Sequence, residues 1–314
     1  MKITIISYDN WGLNQTLASE LAELGHQVEH IDFHKIRYQY PNIFYRVYNF
    51  AAKTFLKKNI KHVFYGKQIL KKLGNAPKQD LIITIKGDFI DCKSLKAFKK
   101  HTTHSVGFFN DSATRCPRIK KAGTCFDVTF SFDPEDCKQF GFYFLPNWIY
   151  TSPCKVKSYK YVIFNICSAG KRVKFIDKLA AQFKALQLPY KLLVFDSKKR
   201  KSYKNIEVIT KKLSLDQVEE LEKQAQILLD IAREKQMGLS FRIFESLGYQ
   251  KKIITTNKDI VNYDFYNPQN CLILNEDLIE IDKQFFETDY VPLSPNIYEK
   301  YTVKGWFKTL CQNL

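Results

Sequence analysis

The chain has 314 residues, a length that suits two domains of about 150 residues each rather than one open sheet. Its formal net charge of +17 predicts attraction to a polyanion or an anionic membrane surface, although lysine richness can also reflect a genome-wide bias. The eight cysteines form no C-x-x-C pair and no cluster with histidines at zinc spacing, which argues against a metal knuckle or a disulfide framework.

The first segments alternate between strand and helix. Residues 2–7 read as a strand, a helix follows from Asn14, and residues 27–33 read as a second strand, which is the opening of a doubly wound α/β domain. The chain contains neither G-x-G-x-x-G nor G-x-x-x-x-G-K-[ST], which disfavours a nicotinamide dehydrogenase and a P-loop NTPase. It starts without the pattern of a signal peptide, so we expect a cytosolic protein.

Residues 35–72 differ sharply in composition, with ten Lys/Arg, nine Phe/Tyr and no acidic residue. Aromatic rings suit the headgroup layer of a bilayer, and each basic side chain near an anionic surface contributes ~1 kcal/mol, so the stretch predicts a helical membrane-docking surface. Two alternatives stay open. The stretch could be the solvated basic face of an ordinary helix pair, or it could bind single-stranded nucleic acid through stacking and phosphate contacts. The predicted docking residues are Arg37, Tyr38, Arg46, Lys53, Lys57 and Lys58.

Two aspartates in the first half of the chain are candidate catalytic bases. Asp111 follows the strand predicted at residues 105–110, and open α/β sheets bind ligands at the carboxyl ends of their strands. Asp9 lies in the first loop. The structural alternatives are a turn former for Asp9 and a cap or Asx-turn for Asp111. We assign Asp133 and the acids that follow it to helix capping.

Residues 146–157 contain two prolines and no periodicity, which predicts a domain linker. A second alternation begins beyond it, with a strand at 160–166, a loop at 167–172 and a helix to about residue 186. In that loop, Gly170, Lys171 and Arg172 are placed to approach a diphosphate, although a solvated helix start would look the same.

Residues 230–257 read as a ligand-binding turn, in which a strand leads through a glycine and a short helix into another strand. On a helix, Gly238, Arg242 and Glu245 lie opposite the apolar face. The unpaired N–H groups and the positive dipole at a helix start favour a phosphate, and the Arg/Glu pair suits a phosphate and a ribose diol. An ordinary amphipathic helix with an exposed ion pair is the alternative. Gly248 is expected to end the helix in the left-handed conformation.

Three stretches carry a resemblance to a known family. GLSFRIFESLGYQKKIITTN resembles the donor site of GT-B glycosyltransferases, and SYDNWGLNQTLASELAELGHQV resembles the acceptor-side loop and helix of that fold. VGFFNDSATRCP and the tract through FGFYFLPNW resemble lipopolysaccharide-core glycosyltransferases, including rhamnosyltransferase-like members. The resemblance implies an α/β, GT-B fold with two Rossmann-like domains facing across a cleft. Residues 1–148 would bind the acceptor, residues 149–295 would bind the donor, and a terminal helix within 296–314 would pack back on the first domain.

The resemblance also implies roles for individual residues. The family's glutamate that binds the ribose hydroxyls matches Glu245. The expected donor-binding residues are Gly170, Lys171, Arg172, Gly238, Ser240, Arg242 and Glu245. Retaining members usually carry a second glutamate before this one, separated from it by seven residues, but this chain has no glutamate at that spacing, and the nearest earlier one, Glu234, is out of register. The departure favours inversion, and because the chain contains no D-x-D, we expect no metal ion.

The expected function is therefore an inverting, metal-independent glycosyltransferase. It would move a hexosyl or deoxyhexosyl group from a nucleotide-sugar to a membrane-anchored glycolipid or oligosaccharide of the lipopolysaccharide core or capsule. We expect it in the cytoplasm, peripheral on the inner face of the cytoplasmic membrane, with no cofactor and no nucleic-acid partner. The alternatives are a basic nucleic-acid-binding protein and a non-catalytic GT-B-like protein that binds a glycan.

Overall fold

The structure, a computed structural model, describes residues 1–55, 58–154, 156, 158–198, 201–277, 281 and 283–314. The chain divides into two compact units, which we call unit 1 (Met1–Pro146 with Trp306–Leu314) and unit 2 (Asn147–Gly305). In each unit the described strands form a six-stranded sheet.

Unit 1 has a fully parallel sheet in the order β2-β1-β3-β4-β5-β6. Its strands are β1 (Lys2–Ser7), β2 (Gln27–Asp32), β3 (Gln79–Ile85), β4 (Thr102–Phe109), β5 (Val128–Ser131) and β6 (Tyr143–Phe144). Its helices are α1 (Leu13–Glu23), α2 (Ile43–Phe55), α3 (Ile60–Gly74), α4 (Cys92–Phe98), α5 (Ile119–Gly123) and α6 (Pro134–Phe140). The central strands are continuous apolar runs because helices cover both faces of the sheet.

Unit 2 repeats this architecture, with a parallel sheet in the order β12-β11-β10-β7-β8-β9. Its strands are β7 (Tyr161–Ser168), β8 (Tyr190–Phe195), β9 (Glu207–Ile209), β10 (Ala225–Asp230), β11 (Lys252–Thr255) and β12 (Cys271–Ile273). The remaining helices are α7 (Val173–Ala185), α8 (Leu215–Lys223), α9 (Phe241–Tyr249), α10 (Gln284–Glu287), α11 (Pro295–Tyr301) and α12 (Val303–Cys311). A capping box between Ser214 and Gln217 starts α8.

The prediction of one terminal helix is wrong. Thr302 is extended and separates α11 from α12, because it pairs with Ile149 in a parallel bridge. Trp306–Leu314 is the part of this region that belongs to unit 1. There Trp306 is buried, its indole Nε1 donates to Pro146 O at 2.9 Å, and its ring meets Phe108 edge-on at 5.2 Å.

The boundary between the two units, after Pro146, falls inside the predicted linker at residues 146–157, but the first part of that segment is packed rather than exposed. Trp148 is fully buried in unit 2, with its ring 5.0 Å from that of Phe241. The N–H of Ile149 donates to Tyr301 O at 2.8 Å, and Thr151 is buried as well. Prolines favour a linker locally, but the neighbouring apolar side chains gain more by packing against α9 than by staying in water.

All eight cysteines are free thiols. In the described parts of the chain, no helix combines the length and the apolar character needed to cross a bilayer.

Candidate functional site

The strand order of unit 2 reverses between its two central neighbours, β7 and β10. The chain runs outward from β7 through β8 to β9, and then outward on the other side from β10 through β11 to β12. The loops that follow β7 and β10 therefore diverge at the carboxyl edge of the sheet, which is where open α/β sheets bind ligands. We call these two loops, residues 169–172 and 231–240, the switch loops.

The first switch loop presents two cations beside an open backbone. Gly170 is exposed, and a Cβ added to it would meet no atom within 4 Å, so packing does not explain the glycine. The Arg172 guanidinium donates from Nη1 to Ile231 O at 2.6 Å and so ties the two loops together. Lys171 Nζ lies 2.9 Å from Glu234 Oε2, and both side chains are exposed.

The second switch loop ends at the start of α9. Gly238 is buried, and Ser240 is the N-cap residue of the helix. The Ser240 hydroxyl does not cap the helix but donates to Asp230 Oδ1 at 2.8 Å, while Thr255 Oγ1 donates to Asp230 Oδ2 at 3.2 Å. Burial raises the pKa of Asp230, and these two hydroxyls oppose the rise. Sequence reasoning gave Asp230 no role, although its place at the end of an apolar strand was a usable signal.

Arg242 and Glu245 do not form the exposed ion pair of an ordinary amphipathic helix, which was the alternative to a ligand site. The Arg242 guanidinium pairs with Glu245 Oε2 at 2.8 Å and with Glu222 of α8, and the three side chains are 11%, 7% and 0% exposed. Tyr150 donates its hydroxyl proton to Glu245 Oε1. That face of α9 is buried because α8 and residues 147–151 pack on it. We call these four side chains the α9 charge cluster.

Gly248 does not end α9. The helix continues to Tyr249, and Gln250 takes the left-handed conformation with φ 55°. A Cβ on Gly248 would lie 2.6 Å from Thr151 O, so the glycine is needed for the close approach of this segment to the helix.

The α9 charge cluster predicts an order of stability among variants. Arg242→Met leaves two buried carboxylates without their cation, so we expect it to lower the free energy of unfolding by about 3–5 kcal/mol. Glu245→Gln keeps an acceptor for Tyr150 and leaves a balanced Arg242–Glu222 pair, so we expect a smaller loss. Urea unfolding at neutral pH measures both. Equal losses in the two variants would contradict a cluster that depends on the guanidinium.

The strand order of unit 1 reverses in the same way, between β1 and β3. Asp9 lies in the loop after β1, where its Oδ1 accepts from Gly12 N at 2.8 Å and its Oδ2 accepts from Gln15 N at 2.9 Å. Both oxygens thus hold the loop and the start of α1, as expected of a turn former. A catalytic role for Asp9 stays a prediction.

Asp111, after β4, lies in a group of charges near the end of β3. Its carboxylate pairs with Lys86 Nζ at 3.4 Å and with Arg115. Asp88, in a short 3-10 turn after β3, is buried, and burial raises the pKa of its carboxyl to about 6, with Lys86 lowering it and Asp111 raising it. Sequence reasoning missed Asp88, although it too follows the end of an apolar strand. Asp111 as the base stays a prediction.

Asp88 gives the stability of the protein a pH dependence. Between pH 3.8, the ordinary pKa of the carboxyl, and about 6, the unfolded chain releases a proton that the folded chain retains. The free energy of unfolding therefore falls as the pH rises through this window. We expect Asp88→Asn to remove the penalty and to be more stable than the parent at pH 7.5, by up to about 3 kcal/mol, but not at pH 4. Urea unfolding at both pH values checks this, with the exposed Glu29→Gln as the control. A difference that does not depend on pH would contradict it.

The predicted docking residues lie around α2. Four of them have exposed side chains: Arg37, Arg46, Lys53 and Lys58. Tyr38 is half-buried, with its ring 4.9 Å from that of Tyr40 and 5.0 Å from that of Phe64. Lys57 lies outside the described residues.

Among the residues that the structure describes, no group of three or more His, Cys, Asp or Glu side chains is arranged to hold a metal ion.

No protein-family model matches the chain, and no curated protein matches it. Solved structures do match along its length. The catalytic domain of starch synthase IV from Arabidopsis thaliana, bound to ADP and acarbose, aligns with a TM-score of 0.61 and 10% identity over 100% of this chain and 98% of that one. The UDP-GlcNAc 2-epimerase of Methanocaldococcus jannaschii, in complex with UDP-GlcNAc and UDP, aligns with a TM-score of 0.54 and 11% identity over 100% of both chains. A glycosyltransferase from Rickettsia africae aligns with a TM-score of 0.51 and 12% identity over 99% of this chain and 97% of that one.

The fold is GT-B. Both units are Rossmann-like, with parallel six-stranded sheets between helices, as the resemblance implied. At 10–12% identity the likeness establishes the fold and leaves the activity to be argued from the residues.

Proposed function

We propose that the protein is a glycosyltransferase that moves a sugar from a nucleotide-sugar donor to an acceptor hydroxyl. The observation that carries the proposal is the carboxyl edge of unit 2, where two basic side chains and a glycine without a packing role lie at the switch point of a GT-B fold. Charge and open backbone at this position suit a nucleoside diphosphate.

The switch loops supply donors for the diphosphate. The exposed Lys171–Glu234 pair is worth little in water, so the ammonium can exchange its partner for a phosphate at low cost. Arg172 is already held by Ile231 O, which fixes the guanidinium before the ligand arrives. Gly238 and Ser240 would add the first turn of α9.

Glu245 and Arg242 remain in the proposed donor site, but because both are buried and paired, a ligand can reach them only by changing these contacts. The Glu245 carboxylate already accepts from Tyr150 and pairs with Arg242, so a ribose hydroxyl must replace one of these contacts or share an oxygen with it. A carboxylate oxygen has two lone pairs, which makes sharing feasible.

Two of the structural neighbours support this ligand class. The starch synthase structure is bound to ADP and acarbose, and the epimerase structure is in complex with UDP-GlcNAc and UDP. The epimerase also shows that the fold alone does not distinguish transfer of a sugar from rearrangement of the donor. An activity assay must therefore follow both the acceptor product and the donor itself.

In the proposed reaction, the acceptor oxygen forms a bond to the anomeric carbon as the bond from that carbon to the diphosphate breaks. The hydroxyl proton passes to a base, and the diphosphate leaves with its added negative charge against Lys171 and Arg172. A single displacement of this kind inverts the anomeric configuration, and in this scheme the two cations do the work of a metal ion.

For the base we favour Asp88 over Asp111 and Asp9. A carboxyl with a pKa of about 6 is mostly ionised at neutral pH and is more basic than an ordinary aspartate. Asp111 pairs with two cations, and Asp9 holds two backbone N–H groups. As the substrate class we propose a membrane-anchored glycolipid of the lipopolysaccharide core or capsule and a hexosyl or deoxyhexosyl donor. Residues 33–79, which contain basic and aromatic residues and no acid, support the membrane anchoring of the acceptor and not the identity of the sugars.

Nucleotide binding is the first test. We expect at least one of the UDP-, GDP-, dTDP- or CMP-linked sugars to raise the melting temperature of the native protein by mass action. Lys171→Gln should weaken that ligand about 10-fold, because it removes a hydrogen bond to a charged group. Glu234→Gln should strengthen it, because it frees the ammonium. The control is the exposed Lys178→Gln in the middle of α7. Unchanged affinity in both switch-loop variants would exclude the site.

The pH dependence of transfer tests the base. We expect kcat/KM of the parent to fall as the pH drops below about 6, the pKa of the Asp88 carboxyl. Asp88→Asn should lose this acid limb and about 100-fold or more in rate. Product and donor are followed by NMR, which also reports the anomeric configuration. Retention of the acid limb in Asp88→Asn, with its loss in Asp111→Asn, would assign the base to Asp111 instead.

A further inference from the structure

Helix α2 turns its apolar side outward. Its buried residues are Asn49 and Ala52. The large apolar side chains along the rest of the helix are exposed: Ile43 61%, Phe44 77%, Val47 61%, Phe50 72% and Phe55 80%. A helix on the surface of a water-soluble unit ordinarily shows the reverse arrangement.

Most of the exposed residues share one side of the helix, and the exception is Tyr45, which is 47% exposed but lies on the side of Asn49 and Ala52. At about 100° per residue, Ile43, Val47 and Phe50 lie opposite Asn49 and Ala52, and Phe44, Tyr48 and Phe55 extend that face to one side. Arg46 and Lys53 lie along the other border, and both are exposed. We call this surface the α2 apolar face.

Contacts with the segments on either side of α2 fix its orientation. Asn49 Nδ2 donates to the Tyr40 hydroxyl at 2.8 Å, and its Oδ1 accepts from Ile60 N at 3.0 Å. The guanidinium of Arg46 lies 5.6 Å from the centre of the Tyr40 ring. The helix cannot turn its apolar face inward without breaking these contacts.

The next helix, α3, shows the ordinary arrangement. It buries Ile69 and Leu73, while Lys67, Lys71 and Lys72 are exposed. Here the basic residues form the solvated outer face of an amphipathic helix, which was the structural alternative for this stretch of sequence. The inverted arrangement therefore belongs to α2 and is not a general effect of lysine richness.

We propose that α2 lies flat in the surface of an anionic lipid bilayer, with the α2 apolar face below the headgroups and the bordering cations among the lipid phosphates. Aromatic and aliphatic side chains with basic residues along one border are the composition that holds an interfacial helix. The absence of any acidic residue from 33 to 79 removes the repulsion that an anionic surface would otherwise exert on this region.

Charge separates a membrane from two other occupants. A symmetric contact with a second copy would place Arg46 and Lys53 close to their own equivalents, with no acid in the segment to pair with them. Nucleic acid supplies phosphates but offers no apolar layer for the aliphatic Ile43 and Val47. A bilayer supplies both the negative charge and the apolar layer.

This inference rests on the proposed function only for its biological purpose, which is to hold the protein where a glycolipid acceptor is anchored. Binding to vesicles needs no donor, acceptor or catalysis. The two proposals can therefore fail separately.

Vesicle binding of the full chain tests the inference. The full chain should sediment with phosphatidylcholine vesicles that contain phosphatidylglycerol, and more weakly with phosphatidylcholine alone. The double variant Val47→Asp/Phe50→Asp should lose about 100-fold in partitioning, because each buried apolar side chain contributes a sizeable transfer free energy. Arg46→Gln/Lys53→Gln should lose roughly fivefold per charge, and only on anionic vesicles.

Matched controls separate insertion from a general effect of charge or folding. Leu24→Asp/Val261→Asp changes two exposed apolar residues elsewhere, and Lys67→Gln/Lys71→Gln removes two cations from α3. Both controls should bind nearly as the parent does, and all variants should keep the parent's circular dichroism and its melting shift with nucleotide. The tryptophan of Phe50→Trp should shift to shorter wavelength on vesicles and be quenched by brominated lipid, whereas that of Leu24→Trp should not.

Three results would overturn the inference while leaving the donor site untouched. The first is equal vesicle binding by the parent and Val47→Asp/Phe50→Asp. The second is a parent that is dimeric in solution and becomes monomeric in that variant, which would assign the face to a second copy. The third is tight, salt-dependent binding to an oligonucleotide that Arg46→Gln/Lys53→Gln abolishes and Val47→Asp/Phe50→Asp does not.

Discussion

A parallel sheet brings the carboxyl ends of all its strands to one edge, and both units of this protein depend on that constraint. Because each strand order reverses once, the loops at the reversal diverge and leave room for a ligand. In unit 2 this edge collects the switch loops with Lys171, Arg172 and the start of α9. In unit 1 the same rule brings Asp9, Asp88 and Asp111 to the carboxyl edge. The candidate residues are far apart in sequence, and the topology accounts for their grouping within each unit.

Helix α9 combines the start of the proposed donor site with a buried body that stabilises the fold. Its start lies at the switch point, where Asp230 fixes Ser240. Its body is buried, and one guanidinium holds two carboxylates there. A buried cluster of this kind holds the helix in place at the cost of desolvating three charges. Because the second switch loop ends at the start of this helix, the cluster also fixes the position of that end of the loop. If the proposed donor site is correct, both the stability of the fold and donor binding depend on Arg242.

The basic character of the chain has more than one origin. On α3, lysines form a solvated face over an apolar interior, and on α2 the same composition surrounds an apolar face that points outward. Net charge by itself attracts the protein to any polyanion. The α2 apolar face can be buried only by a binding partner that has an apolar layer. This restricts the possible binding partners far more than the +17 charge does.

Local patterns in the sequence determined most of the strands, most of the helices and the α/β class, because period-2 and period-3.6 apolar patterns report directly on which face is buried. They also placed Gly170, Lys171 and Arg172 in the loop that follows a strand, which the position of the three residues after β7 confirms, although their partners Ile231 and Glu234 are distant in sequence. What only the tertiary structure decided were features that depend on distant segments. Glu222 and Tyr150 turn the face with Arg242 and Glu245 into an interior, Ile149 splits the terminal helix at Thr302, and burial makes Asp88 a weak acid with a pKa near 6. A periodic pattern shows that one face of a helix is apolar and the other polar, but only the packing partners decide which face is buried. The polar Glu245 is buried and the apolar Phe50 is exposed for this reason.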